Sequence, residues 1–362
     1  MDTNAGSHYR FYMRLKLPVK SPIPPMLAVL SREIPKGKEW FYEMKYDGFR
    51  SIVFWDGKNI FIQSRDLKPL NIYFPELEES LKTKLPAPCV VDGEIVIAGE
   101  DGLDFELLQL RIHPAASRIR KLAAEIPASF IAFDLLATAK QSLMDEPLST
   151  RRKKLESLFK SITPPIYMSP ATDDYARAKK WFNKYEHSIG VDGLVAKKKA
   201  DPYVPGERVM IKVKRQRTAD VVIAGFRWAK EKKDIAVGSL LLGLYKNGVL
   251  NYVGHTSSFK MPERIELAKM LKKYRTSHEQ SGFGEGRSPG GPSRWSADKD
   301  LSWEAVRPEL VCEVSYDHMQ GDRIRHAATF QRWRFDKPPQ ECTYDQLAEA
   351  QSLSLEKIMK SP

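Results

Sequence analysis

Alternating apolar and polar residues mark three short strands early in the chain, Trp40–Asp47, Arg50–Asp56 and Asn59–Ser64, separated by the turn pairs Asp47-Gly48 and Asp56-Gly57. Apolar runs at Cys89–Ala98, Phe130–Leu136, Val191–Ala196 and Val209–Val213 predict interior strands, several ending in a polar residue that would point into a cleft. Between them Pro75–Leu85 and Leu148–Phe159 carry helical spacing. In the second, Leu148, Leu155, Leu158 and Phe159 share one face, and Ser149 or Thr150 stands where a cap belongs. Past the basic run Lys212–Arg217 (KVKRQR) the pattern becomes β-rich, with strands at Asp220–Trp228, Ile235–Tyr245 and Val249–Gly254, a helix at Pro262–Tyr274 and a strand at Leu310–Tyr316. Short strands with a single helix among them suit a small Greek-key barrel of the OB kind. Ser281–Arg294, rich in Gly, Ser and Pro, reads as a mobile loop, and residues 1–20, with no clear period, as a disordered N-terminal arm. The expected organisation is α+β: the arm, a catalytic domain with antiparallel sheets and flanking helices over 21–216, an all-β OB-fold domain over 217–347, and a C-terminal tail over 348–362.

A length of 362 residues supports this division into two domains. Lys and Arg number 58 against 46 Asp and Glu, a net charge of +12, so the surface field attracts polyanions and nucleic acid becomes the leading partner. Cys89, Cys312 and Cys342 lie far apart and form no CxxC pair, which argues against a zinc site and against a disulfide framework. No apolar stretch reaches the roughly 18–20 residues of a membrane span, and the start lacks the apolar core of a signal peptide. The expectation is a cytoplasmic monomer without membrane contact, associated with the nucleoid if prokaryotic.

The tetrapeptide Lys45-Tyr46-Asp47-Gly48 is weak alone, since a K-x-D-G arises by chance in roughly one chain in ten of this size. Its company changes that. Charged residues recur at the ends of apolar strands: Arg65 (QSRD), Glu94 (VDGEIV), Asp134 after Phe133 (IAFDLL), Asp192 (VDGLVAK), and Lys212 with Lys214 (MIKVK). Such residues bordering buried strands are costly unless they line a solvated or ligand-filled pocket. A lysine placed among cations and partly desolvated is also expected to have its pKa lowered toward the neutral, nucleophilic form.

In this order the set K-x-D-G, S-R, D-G-E, F-D-L-L, D-G-L-V-A-K and K-x-K resembles the covalent nucleotidyltransferase superfamily of ATP-dependent DNA ligases, RNA ligases and capping enzymes. Phe105–Lys121 (FELLQLRIHPAASRIRK), the FDLL strand and the ending Gln331–Lys337 (QRWRFDK) are similar to the short bacterial ligases called LigC and the ligase module of LigD. The resemblance spans about Pro22 to Lys337 and implies that residues 21–216 are an adenylation domain. It implies further that Lys45 takes AMP from ATP, passes it to the 5′-phosphate of nicked duplex DNA, and lets a 3′-hydroxyl displace it, in DNA repair with other repair proteins as partners. Lys212 and Lys214 would contact the α-phosphate, and Asp47, Glu94 and Asp192 would hold Mg²⁺ or Mn²⁺ or its waters. Phe133 would stack on adenine, and Glu43 would accept from its exocyclic amine, favouring ATP over GTP. Arg65 would grip the ribose edge, Arg50 the 5′-phosphate of the nick with Arg65 beside it, and Arg334 and Lys337 the β and γ phosphates, after a closure of the barrel about Arg215–Thr218.

The resemblance leaves rivals. An RNA ligase or a GTP-using capping enzyme shares Lys-x-Asp-Gly chemistry, and an inactive nucleic-acid-binding module could use the same scaffold. Asp192 stands where relatives usually carry Glu, shortening the reach to a metal, and Met210 stands where an aromatic is frequent. The basic clusters Arg151–Lys154, Lys197–Lys199 and Lys230–Lys233 are candidates for tracking phosphates.

Overall fold

The computed structural model describes residues 15–100, 102–184, 190–214, 217–283, 288–289, 301–317, 319–347 and 353–360. The chain divides into two compact units, one running to Arg215 and rejoined by the segment from Ala350, the other spanning Gln216–Glu349. Residues 215–216, where the hinge is expected, and the greater part of the loop expected over 281–294 lie outside the described residues.

In the first unit the strands are β1 (Leu27–Ser31), β2 (Trp40–Tyr46), β3 (Phe49–Trp55), β4 (Ile60–Ser64), β5 (Cys89–Val96), β6 (Ser129–Thr138), β7 (Ile166–Met168), β8 (Ala171–Thr172), β9 (Val191–Lys198) and β10 (Arg208–Val213). They form two five-stranded sheets, ordered β1-β10-β9-β2-β8 and β4-β3-β5-β6-β7. Pairing is antiparallel except β1 with β10 and β6 with β7, so the sheets are mixed rather than wholly antiparallel. Helices α1 (Pro75–Lys84), α2 (Phe105–Leu110), α3 (Ala116–Glu125), α4 (Leu148–Leu158) and α5 (Tyr175–Lys184) accompany them. Leu77 and Leu81 of α1 pack with Val53, Trp55 and Ile62 on one face of the second sheet. Ile52, Phe54 and Phe61, pointing the other way by the two-residue period, pack with Leu15, Leu17 and Val19. The arm expected over 1–20 is therefore structured from Leu15: its apolar residues alternate along an extended segment and cover a sheet face. Helix α4 also departs from expectation. Its N-cap is Pro147 with no side-chain cap, and it buries Arg151 and Arg152 beside Leu148 and Leu155. Arg151 and Arg152 are thus withdrawn from any solvated phosphate track, while Lys153 stays exposed.

The second unit is β-rich and OB-like. Strands β11 (Arg217–Trp228), β12 (Val237–Lys246), β13 (Val249–Thr256), β14 (Glu304–Tyr316) and β17 (Thr329–Trp333) form one antiparallel sheet ordered β13-β12-β11-β14-β17, with β15 (Met319–Gln320) and β16 (Arg323–Ile324) as a short ribbon. Helix α6 (Met261–Leu271) contributes Leu267 and Leu271 to a core with Val221, Phe226, Leu240, Leu242 and Val311. The chain then returns to the first unit as α7 (Leu355–Met359), whose Leu355 and Ile358 are buried against the cluster of Tyr42, Met44 and Trp181. The segment expected to be a free tail is a packed helix where it is described.

Candidate active site

Lys45 is aimed by an irregularity in strand pairing. Met44 pairs with Leu194 and Tyr46 with Val191, so two residues of β9, Asp192 and Gly193, stand opposite Lys45 alone. This is the two-against-one geometry of a β-bulge, which re-aims a side chain. Gly193 makes it possible: its φ is +130°, and a Cβ there would lie 2.0 Å from the Val213 carbonyl oxygen of β10. Gly48, in the turn after Tyr46, is demanded by closeness instead. A Cβ there would lie 2.3 Å from the Ile95 carbonyl oxygen, which is how β2 and β3 approach β5 and its Glu94.

The result is a pocket of about 260 Å³ lined by both sheets. Of the residues singled out from sequence, Glu43, Lys45, Asp47, Arg50, Arg65, Glu94, Phe133 and Lys212 line it. Asp192 and Lys214 adjoin through ion pairs: the Lys45 and Lys214 ammoniums both donate to the Asp192 carboxylate, at 2.8 and 2.6 Å. Asp134 is not part of the pocket; it is buried in a bidentate pair with Arg151. Arg334 and Lys337 lie in the other unit, described below.

Several partners were not legible in the sequence. Asp92, fully buried, accepts both guanidinium nitrogens of Arg50 at 2.6 and 2.7 Å and the Tyr203 hydroxyl at 2.7 Å. Arg50 is therefore committed to a carboxylate, with its guanidinium 4.3 Å from the centre of the Phe133 ring. Lys197, read from sequence only as one of a basic cluster, is buried and donates to Glu43 at 2.6 Å, its ammonium 4.5 Å from the same ring. The Arg152 guanidinium is 3.5 Å from the other Glu43 oxygen. Arg208 joins Arg65 and Lys212 on the wall. Alternation along β9 places Val195 and Lys197 on the pocket side, and that period was the available signal for Lys197.

Electrostatics overturn one expectation. Burial works to lower the Lys45 pKa, but the Asp192 carboxylate, with Glu94 and Asp47 behind it, wins and holds it above the ordinary lysine value. Asp192 resists burial and titrates below the usual carboxylate range because Lys45 and Lys214 both face it. The lowered lysine is Lys212, through burial and the nearby Lys214, Lys45, Arg65 and Arg208. Burial pushes Glu94 up to about 7 against the pull of Arg50 and Lys45. Among the described residues no three Asp, Glu, His or Cys side chains converge as a ready cation cage.

A half-buried lysine and a cation-lined wall fit nucleotide chemistry, and comparison with known proteins decides which kind. The family model described as the ATP dependent DNA ligase domain matches residues 25–214, more than half of the chain, and that of the ATP dependent DNA ligase C terminal region matches residues 233–337. The chain belongs to the ATP-dependent DNA ligases. DNA ligase C2 of Mycolicibacterium smegmatis is 46% identical to this ligase over 344 residues, covering 92% of the chain and 96% of that protein. DNA ligase C of Mycobacterium tuberculosis is 45% identical over 358 residues, covering 95% and 99%. A solved structure titled as a Lig E DNA ligase superposes with a TM-score of 0.54 at 18% identity, over 86% of this chain and 100% of that one, which shows the shared fold. The RNA ligase, capping-enzyme and inactive-module readings give way to an adenylating DNA ligase.

Within the ligase's OB-like unit, the ending expected to meet phosphates is held by carboxylates. Arg334 donates to both oxygens of Asp220 at 3.0 and 2.8 Å and to Asp336, and Lys337 donates to Asp220 at 3.0 Å.

Proposed function

We propose that Lys45 is the nucleophile of this ligase and that the pocket around it is where ATP is split. The observation that carries this reading is the bulge that turns Lys45 into a pocket shared with Glu43, Phe133 and Lys212. The Lys45 nitrogen attacks the α-phosphate; an N–P bond forms, the bond from the α-phosphorus to the bridging oxygen breaks, pyrophosphate leaves with that oxygen, and the nitrogen gives up its proton. AMP then passes to the 5′-phosphate at a nick in duplex DNA, and the 3′-hydroxyl displaces it. Such transfers are driven by alignment and charge stabilisation.

Lys212 and Lys214 neutralise the α-phosphate in this scheme. Arg65 and Lys212 support it: both line the pocket and neither makes an ion pair among the described residues. Because Asp192 holds Lys45 charged, Asp192 has to release it before attack. Phe133 stacks on adenine and Glu43 accepts from its exocyclic amine, which requires Lys197 to yield part of its hold. Arg50, fixed by Asp92, faces the 5′-phosphate only through whatever its bidentate pair leaves exposed, so Arg65 carries more of that contact. Arg334 and Lys337 take the β and γ phosphates.

The carboxylates suit Mg²⁺ or Mn²⁺ bound through few protein oxygens and completed by water and nucleotide phosphates, the habit of these hard ions, rather than a protein cage. Glu94 is the best-placed oxygen donor, since no hydrogen bond to it exists among the described residues, with Asp47 near and Asp192 committed to two lysines. Such an ion supplies charge neutralisation on the triphosphate. Nick sealing in DNA repair, alongside other repair proteins, is the cellular role that follows.

The test is intact-mass spectrometry of the protein after ATP, then after pyrophosphate. An added AMP that pyrophosphate removes, and that Lys45→Ala never acquires while nicked DNA still binds, is the expected result. Labelling that persists in Lys45→Ala, or that needs GTP, overturns it.

A further inference from the structure

The stretch RWRFDK brings three cations; Arg332 pairs with Glu313, and for the other two, Arg334 and Lys337, the fold supplies a counterion that the sequence pattern did not mark. Asp220 sits near the start of β11, 9% exposed, at the point where β17 gives way to the loop bearing Arg334 and Lys337. Its backbone is pinned: its N–H donates to the Gln346 side chain at 2.8 Å, and its carbonyl accepts from the same amide at 2.9 Å. Arg334 meets it with one terminal nitrogen on both oxygens, while its Nε and other terminal nitrogen go to Asp336. Lys337 donates to one of the same two oxygens, Oδ2. All three guanidinium nitrogens thus face carboxylates, in the fork geometry that would otherwise grip phosphate.

We propose that Asp220 is a built-in substitute for phosphate, parking Arg334 and Lys337 in the barrel until a triphosphate or pyrophosphate competes them away. This rests on the reading that the two cations serve the β and γ phosphates. One consequence is a cost on engaging ATP, because phosphate oxygens must replace carboxylate oxygens. A second falls on the reverse reaction, in which pyrophosphate attacks the adenylated lysine and needs the same cations. Once pyrophosphate has left, Asp220 recaptures the pair and disfavours its return. Asp220 does not touch the reacting atoms; it acts through Arg334 and Lys337 as a positioning residue.

The experiment measures rates of lysyl-AMP formation against ATP concentration, and of its reversal against pyrophosphate concentration, for wild type, Asp220→Asn, Asp220→Glu and Arg334→Ala. Removing this nearly buried carboxylate should lower the KM for ATP, and the concentration of pyrophosphate giving half-maximal reversal, by at least roughly fivefold. Asp220→Glu keeps the anion and should behave as wild type. Sealing of a nick already carrying AMP bypasses the triphosphate and should not change in Asp220→Asn. Thermal unfolding checks the fold, and Asp220→Ser replaces the asparagine should that protein not fold. An unchanged or raised KM for ATP in a folded neutral variant overturns the parking role. If Arg334→Ala forms lysyl-AMP at the wild-type rate, the phosphate role of the pair falls first and the proposal falls with it.

Discussion

With Lys45 as the proposed nucleophile, its proton is the first thing the ligase has to dispose of. Asp192, Glu94 and Asp47 together outweigh burial and keep the ammonium charged, so lysyl-AMP formation should climb with pH through the alkaline range. Asp192→Asn removes the strongest of these anions. Its maximal rate should fall, yet the alkaline limb of its labelling profile should move to lower pH, and a limb that stays in place would mean Asp192 does not set the Lys45 pKa. Glu94 governs the other limb. With its carboxyl pushed up to about 7, it is protonated and uncharged below that pH, so labelling should drop as pH falls through about 7, and Glu94→Gln should be slow and flat over that range. Stability follows the opposite partner: Asp192, lowered from 3.8 by its two lysines, stabilises the fold above that ordinary value and loses the contribution as acid takes the pH down through its folded pKa. At this scale the sequence displayed Lys45, Glu43, Phe133 and Lys212 through motif order. It did not display Asp92 or Lys197, since each is a charge buried by a partner more than 40 residues away and no local pattern encodes that pairing.

Strands and helices were legible where periodicity was strong and long. The strands through Trp40, Arg50 and Cys89 and the helix from Pro75 lie where alternation and helical spacing put them, with ends shifted by a residue or two. Short pieces such as β7 and β8 were not read, because two or three residues carry no period and exist only through pairing with β6 and β2. Leu15, Leu17 and Val19 alternate with Lys16 and Pro18, but three apolar positions are too short a run to establish a period without the sheet face they cover. The bulge at Lys45 is the element on which the proposed catalysis leans. Gly193→Ala places a side chain at a φ of +130° and against the Val213 carbonyl. It should cost at least about 2 kcal/mol in chemical unfolding and should also depress AMP labelling, whereas a variant of unchanged stability would show that β9 can relax there.

For the molecule as a whole, the chain leaves the first unit, builds the OB-like unit and returns to finish in the first as α7. Leu355 and Ile358 are 1% and 0% exposed among Tyr42, Met44 and Trp181, so the last helix belongs to the core that backs β2. Leu355→Ala should therefore destabilise the unit carrying Lys45 by about 2–4 kcal/mol, the usual loss for a leucine cut back in a packed core. Calorimetry that shows no shift in melting would place α7 outside the cooperative unit. The net charge of +12 acts at this scale too, predisposing the ligase to its polyanionic substrate before any single contact forms.

Order and type of residues along the chain determined the chemistry: a K-x-D-G lysine followed by S-R, D-G-E, F-D-L-L and K-x-K names a covalent adenylating site, because those groups are what phosphoryl transfer requires. Tertiary structure alone decided the charge states and commitments of those groups. Whether Lys45 is protonated, whether Arg50 is free and where Arg334 rests depend on which carboxylates the folded backbone brings within about 3 Å, since Coulomb energy and burial are set by distance through space and not by separation in sequence.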